Sequence, residues 1–236
     1  MLFRSEGTQD SALSGVKIAD FSRVLAGPYA TMILADLGAE VIKVERSGSG
    51  DETRGWGPPF DSKGRSTYFQ SVNRNKGSIA LDLNQPEDNR QARELILESD
   101  VVVENFGYGG MKKFNLDYET LSKENSKLIY CSITGFGSSE QARELVGYDL
   151  LVQAMSGLMS ITGKQLAEPS KVGVALIDVI AGLHAVSGIL AALRVRDQSG
   201  IGQEVEINLL SSALSGMVNQ SGAYAAAGVV DRKSTR

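Results

Sequence analysis

The sequence predicts an α/β protein, a Rossmann-like parallel sheet with helices on both faces, followed by a long helical linker. The first observation is Val16-Lys-Ile-Ala-Asp-Phe21, an alternating strand pattern that runs through Ala26-Gly-Pro28 into a helix and then into a second strand, Ala39 to Glu45. So short a link between two strands suits only the strand–helix–strand unit of a parallel sheet. The second is the return of apolar runs at Asp100 to Glu104 and Lys127 to Ile133, with helical pattern between them. The third is that both runs end in loops of glycine and aromatic residues, Asn105 to Gly110 and Thr134 to Gly137. Ligands of open α/β sheets bind where strands end.

Taken in order, the first helix begins at Pro28, a favoured first position, covers Tyr29 to Leu37 and stops at Gly38. The turn before it, Ser22 to Pro28, lacks G-x-G-x-x-G spacing, which disfavours NAD or FAD. Arg46 to Lys76 is polar and Gly-rich, with Arg46, Arg54, Arg65, Arg74 and Lys76 among few acids and the rigid Trp56-Gly-Pro-Pro-Phe60. It reads as a solvated loop or as the seat of a phosphorylated, ring-containing ligand. A strand at Ser78 to Asp82 and an amphipathic helix at Pro86 to Glu98 lead to the buried central strand at Asp100, and Met111 to Lys123 reads as helix in two pieces. Ser138 to Val146 is a polar excursion, Leu150 to Thr162 a helix and Gly163 to Ser170 a loop. Beyond Asp178 come a helix from Val179 to Arg196, a turn at Ser199, a strand from Val205 to Asn208 and a helix from Leu209 to Ala227.

With 236 residues, 42% of them hydrophobic, the chain can bury a full core. Its net charge of −4 supplies no basic field for nucleic acid. The single cysteine, Cys131, lies in an apolar run and reads as a buried thiol, and the single histidine, His184, excludes a multi-histidine metal site. No metal is expected. Met1 to Ser14 lacks a signal-peptide core and no run reads as transmembrane, so the expectation is a cytoplasmic protein without a membrane partner, with the mitochondrial matrix as the other compartment.

Asp178 stands out because it interrupts the apolar run Val172 to Ala185, where an ionised carboxylate needs partners. Two readings compete: a cap accepting from the free N–H groups of the following helix, and a partly desolvated nucleophile facing a cleft. Gly182 and Ala185 share its helix face and are expected to leave open space beside it.

Arg23-Val-Leu-Ala-Gly-Pro28, Asp36 to Arg46, Gly48-Ser-Gly-Asp-Glu-Thr-Arg54, Asn73-Arg-Asn-Lys76, Val103-Glu-Asn-Phe106, Ser132 to Gly137, Gly147-Tyr-Asp149, the Asp178 stretch and Gly200-Ile-Gly-Gln-Glu204 occur in an order that resembles the class III CoA-transferases, the family of formyl-CoA transferase and carnitine CoA-transferase. The resemblance runs from about Leu13 to Gly228. It implies that coenzyme A and acyl-CoA are substrates, that no cofactor is tightly bound, and that Asp178 is the nucleophile, passing through aspartyl anhydride and aspartyl-CoA thioester intermediates. By position it places Val24, Leu25 and Ala26 against the CoA chain, Arg46 near the adenine and phosphates, Leu81, Asn105 and Phe106 in the groove wall, Lys113 at a phosphate, and Thr134, Gly135 and Phe136 beside the thioester. The related α-methylacyl-CoA racemases carry a histidine at the middle of Gly147-Tyr148-Asp149; here it is tyrosine, a weak acid, so transferase is the reading and racemase the remoter alternative. Trp56 to Phe60, Val72 to Lys76, Tyr130 to Gly135 and Asn208 to Ser212 are most similar to the succinyl-CoA:glutarate type, for which Arg74 is one candidate cation for a free acyl carboxylate.

The resemblance implies a second small domain, which these residues are not expected to complete, and an interlocked homodimer for a full-length chain. The expected division is a tail at 1–13, the CoA-binding domain at 14–198, a linker strand and helix at 199–228, and a tail at 229–236. A CoA-binding lobe that transfers nothing is the alternative function.

Overall fold

The computed structural model describes residues 11–143, 145–163 and 168–231. Most of the 1–13 tail, Glu144 of the polar excursion, part of the Gly163 to Ser170 loop and the end of the 229–236 tail lie outside the described residues.

Six strands, β1 (Lys17–Asp20), β2 (Glu40–Arg46), β3 (Lys76–Leu81), β4 (Val101–Glu104), β5 (Ile129–Thr134) and β6 (Glu204–Asn208), form one parallel sheet in the order β3-β2-β1-β4-β5-β6. The chain winds outward from β1 to β3, then returns to the other side of β1 for β4. That reversal opens a crevice beyond the carboxyl ends of β1 and β4. β4, Val-Val-Val-Glu, is buried at all four positions, as a strand covered on both faces must be. β6 falls in the 199–228 segment yet pairs with β5, so the sheet extends past residue 198.

The helices are α1 (Ala26–Asp36), α2 (Thr67–Val72), α3 (Pro86–Leu97), α4 (Tyr118–Leu121), α5 (Asp149–Met155), α6 (Leu158–Ile161), α7 (Leu176–Ser199), α8 (Leu209–Gly216) and α9 (Asn219–Ala227). Successive strand residues face opposite sides. Ile18, Val101, Cys131 and Val205 pack with Ala30 of α1 and Ile177, Ala185 and Ile189 of α7. On the other face Ala19, Val102 and Tyr130 pack with Ala92 and Ile96 of α3 and Leu121 of α4.

Two helices expected to be continuous are broken. The Leu150 to Thr162 pattern divides between α5 and α6 at Gly157 (φ +86°), and the Leu209 to Ala227 pattern divides between α8 and α9 at Val218 (φ +40°). A residue with positive φ cannot continue a right-handed helix. In the other direction, α7 starts three residues before Val179 and runs to Ser199, ending on Gly200 in the left-handed conformation. This corrects a second expectation, because α7 is long and apolar enough to cross a membrane by length and composition. Its buried stripe, Ile177, Ala181, Ala185, Ile189 and Ala192, lies in the core against the sheet and α1.

Gly182 is where α1 and α7 meet. A Cβ there would lie 2.8 Å from the Ala26 carbonyl oxygen and 3.0 Å from the Tyr29 ring. The space that Gly182 and Ala185 were expected to leave beside Asp178 is therefore filled by α1. The small residues serve close helix packing, and the cavity opens on another side.

Candidate functional site

Three loops at the carboxyl ends of β1, β4 and β5 build the site. In the first, every backbone group from the Ser22 N–H to the Val24 N–H is held by a side chain. The Ser22 N–H donates to Asp20 Oδ1 (3.0 Å), and Lys43 Nζ donates to the Ser22 carbonyl (2.7 Å). Asn105, from the loop after β4, accepts from the Arg23 N–H (2.9 Å) and donates to the Arg23 carbonyl (2.8 Å), stitching the two sides of the crevice together. The Val24 N–H donates to Asp51 Oδ2 at 3.3 Å. Val24 has φ +68°, a left-handed conformation costing a β-branched residue roughly 1–3 kcal/mol.

Beneath this turn lie two buried ion pairs, Lys76 to Asp20 and Lys43 to Asp51, both at 3.0 Å. Burial alone would raise the Asp20 pKa, but Lys76 and Lys43, helped by the Ser22 and Thr31 hydroxyls, outweigh it and hold the carboxyl down at about 2.

The loop after β4 supplies Phe106, whose N–H donates to Glu104 Oε2 (2.7 Å) and whose ring lies 5.7 Å beneath the Arg23 guanidinium. In the loop after β5, the Thr134 hydroxyl accepts from the Gly137 N–H (3.0 Å). Gly135 meets Gly147 back to back, and a Cβ on Gly135 would lie 2.4 Å from the Gly147 Cα. That contact brings the chain leading into α5 against the β5 loop.

Asp149, the first residue of α5, then reaches α7. Its Oδ1 accepts from the N–H groups of Ile177 (2.7 Å) and Asp178 (3.1 Å), and Gln153 Nε2 donates to its Oδ2 (2.5 Å). The cap of α7 is therefore Asp149, from 28 residues upstream, and the reading of Asp178 as the cap is overturned. No described residue donates a hydrogen bond to the Asp178 side chain, which is half-buried and borders a cavity of about 410 Å³. Burial first, and the Asp149 charge second, push its carboxyl up to about 7. Tyr68 of α2 is pushed up to about 12, by burial and then by Asp178, Asp149 and Asp51.

The cavity brings Asp178 together with Val24, Leu25, Ala26, Asn105, Phe106, Thr134, Gly135 and Phe136. Three residues grouped with them by resemblance stand apart. Leu81 is buried in the core beside Val44 and Ala92 and does not line this cavity. Arg46 is exposed at the end of β2, in register with Leu81, and Lys113 is exposed with Nζ 4.6 Å from the Phe114 ring centre. Arg74 is bound to Asp36 at the far end of α1, also receiving Asn75, and does not line this cavity. Cys131 is fully buried with its thiol pushed up by burial, and His184 Nδ1 lies 3.1 Å from the Ser212 hydroxyl. Among the described residues no group of His, Cys, Asp and Glu is arranged for a metal.

The sequence reading missed Arg23, Arg143, Tyr148 and Asp149, all of which line the cavity. Arg23 pairs with Glu52 at 3.3 Å, and its Nε is buried without a partner. The signal available for Asp149 was its place at a helix start after a glycine. Its reach to α7 depends on the Gly135–Gly147 contact, which no local pattern reports.

A family described as CoA-transferase family III matches residues 13–236. The chain is 47% identical over 221 residues to succinate–glutarate CoA-transferase of Agrobacterium fabrum, covering 92% of this chain and 55% of that protein. It is 49% identical over 212 residues to mouse succinyl-CoA:glutarate CoA-transferase, covering 90% of this chain and 48% of that one. Among solved structures, a CAIB/BAIF family protein from Brucella suis superposes with a TM-score of 0.89 at 44% identity, covering 94% of this chain and 60% of the other. The chain thus spans about half the length of the curated relatives it matches. By the match along nearly its whole length and the superposition of its sheet, the chain belongs to the CoA-transferase family III.

Proposed function

We propose that the chain carries the CoA-binding and nucleophilic half of a CoA-transferase that moves CoA from succinyl-CoA, or another dicarboxylyl-CoA, to a free carboxylic acid. The names of its relatives support this substrate class. The observation that carries the reading is Asp178, a carboxylate without a described hydrogen-bond donor at the edge of the switch-point cavity.

An Asp178 carboxylate oxygen attacks the thioester carbonyl carbon, the C–S bond breaks, and CoA leaves as thiolate from an aspartyl acyl anhydride. The thiolate attacks the Asp178 carbonyl, expels the donor acid as carboxylate and forms an aspartyl-CoA thioester. The acceptor carboxylate attacks that carbonyl, releasing thiolate and giving a new anhydride. Attack of the thiolate on the acceptor carbonyl forms the product thioester and frees Asp178. No proton is consumed, and covalent relay keeps the thioester's free energy from water. A carboxyl titrating near 7 is a stronger base than an ordinary aspartate, while its place in the first turn of α7 favours its ionised form.

The test is to mix the chain with succinyl-CoA, trap with hydroxylamine and map the adduct by peptide mass spectrometry. A hydroxamate on Asp178, absent from Asp178→Asn, is expected. A folded chain that binds succinyl-CoA and leaves Asp178 unmodified refutes transfer by this chain and leaves a binding lobe.

A further inference from the structure

We infer that the buried Lys43–Asp51 pair is a positioning device for CoA binding, acting through the strained backbone of Val24; this rests on the cavity being the CoA site. Lys43 and Asp51 are both essentially inaccessible, and neither touches the cavity. They grip the β1 turn from both sides of Arg23: Lys43 Nζ donates to the Ser22 carbonyl at 2.7 Å, and Asp51 Oδ2 accepts from the Val24 N–H at 3.3 Å. The pair itself closes at 3.0 Å, and Asp51 Oδ1 is fixed by the Thr53 N–H (2.9 Å) and hydroxyl (2.7 Å).

An ion pair used only for stability has no need to seize the two peptide groups flanking one half-buried arginine. Buried ion pairs often add little stability over apolar replacements of similar size. What this one does is hold a valine at φ +68°, where valine does not rest unaided, and so set the wall formed by Val24, Leu25 and Ala26. Without the clamp, Val24 relaxes to negative φ, and the fraction of molecules with a competent wall falls. Apparent affinity falls in proportion.

The experiment compares Lys43→Met/Asp51→Leu with the parent chain, each with Val24, Val24→Ala or Val24→Gly, by calorimetric titration with coenzyme A and by thermal melting. The double substitution is expected to weaken CoA binding about tenfold when Val24 is present but less than about threefold with Val24→Gly, because glycine adopts positive φ without the clamp. An equal loss in both backgrounds, or no loss in a double variant that melts like the parent, overturns the proposal. Melting supplies a readout without ligand. In the parent, Val24→Gly is expected to melt above Val24→Ala, and in the double variant the order reverses; an unchanged order also overturns it. If the double variant does not fold, Asp51→Asn is read in the same way. A parent that binds no CoA refutes the functional reading, and the melting order still judges the clamp.

Discussion

Replacing Asp149 by asparagine separates its two effects on Asp178, the cap and the charge. The asparagine oxygen can still accept from the Ile177 and Asp178 N–H groups, so the start of α7 is kept at a loss of roughly 0.5–1 kcal/mol from the weaker charge–dipole interaction. The charge is lost entirely. The rise of the Asp178 pKa from 3.8 to about 7 has burial as its larger cause and Asp149 as its smaller. Removing Asp149's charge therefore returns less than half of the rise, and Asp178 in Asp149→Asn is expected to titrate below about 7 yet still well above 3.8, a change of at most roughly 2 kcal/mol in the cost of ionisation. The assay is a carboxyl carbon NMR titration of both proteins, with Asp178→Asn used to assign the resonance. An Asp178 midpoint that stays near 7 or rises in Asp149→Asn, with α7 still folded, refutes the view that the two carboxylates repel across the cap.

Two further outcomes are expected. Because the folded-state pKa of Asp178 is raised, its stabilising protonated form is complete below about 3.8 and is lost as pH climbs through about 7. Asp178→Asn should therefore match the parent in denaturant melts near pH 3.5 and exceed it at pH 8 by on the order of 2–4 kcal/mol; a difference independent of pH would show that Asp178 is not desolvated. Gly182→Ala should destabilise by roughly 1–3 kcal/mol in urea unfolding, since the new Cβ lies 2.8 Å from the Ala26 carbonyl oxygen, and a neutral result would mean that α1 and α7 are not in close contact.

Elements whose signal is local were legible in the chain. The strand–helix–strand opening, the buried Val101 to Val103 run and the Asp178 stretch each carry period, composition or a misplaced charge within a dozen residues, and all appear where the pattern put them. The loops at the ends of β1, β4 and β5 followed from the parallel sheet, because such sheets gather ligand loops at one edge. Helix ends were less legible. Leu209 to Ala227 has helical propensity throughout, yet Val218 takes φ +40° and divides it.

By itself the sequence determined an α/β sheet, which loops crowd its carboxyl edge, and that Asp178 needs a reason to be where it is. Tertiary structure alone decided which groups surround that carboxylate. It filled the space beside Gly182 with α1, removed Leu81 to the core, bound Arg74 to Asp36, and brought Asp149 across 28 residues to cap α7. The reason is physical: local pattern reports which face of an element is apolar, whereas a pKa, a cap or a close helix crossing depends on backbones brought together through glycine contacts and buried ion pairs far apart in the chain.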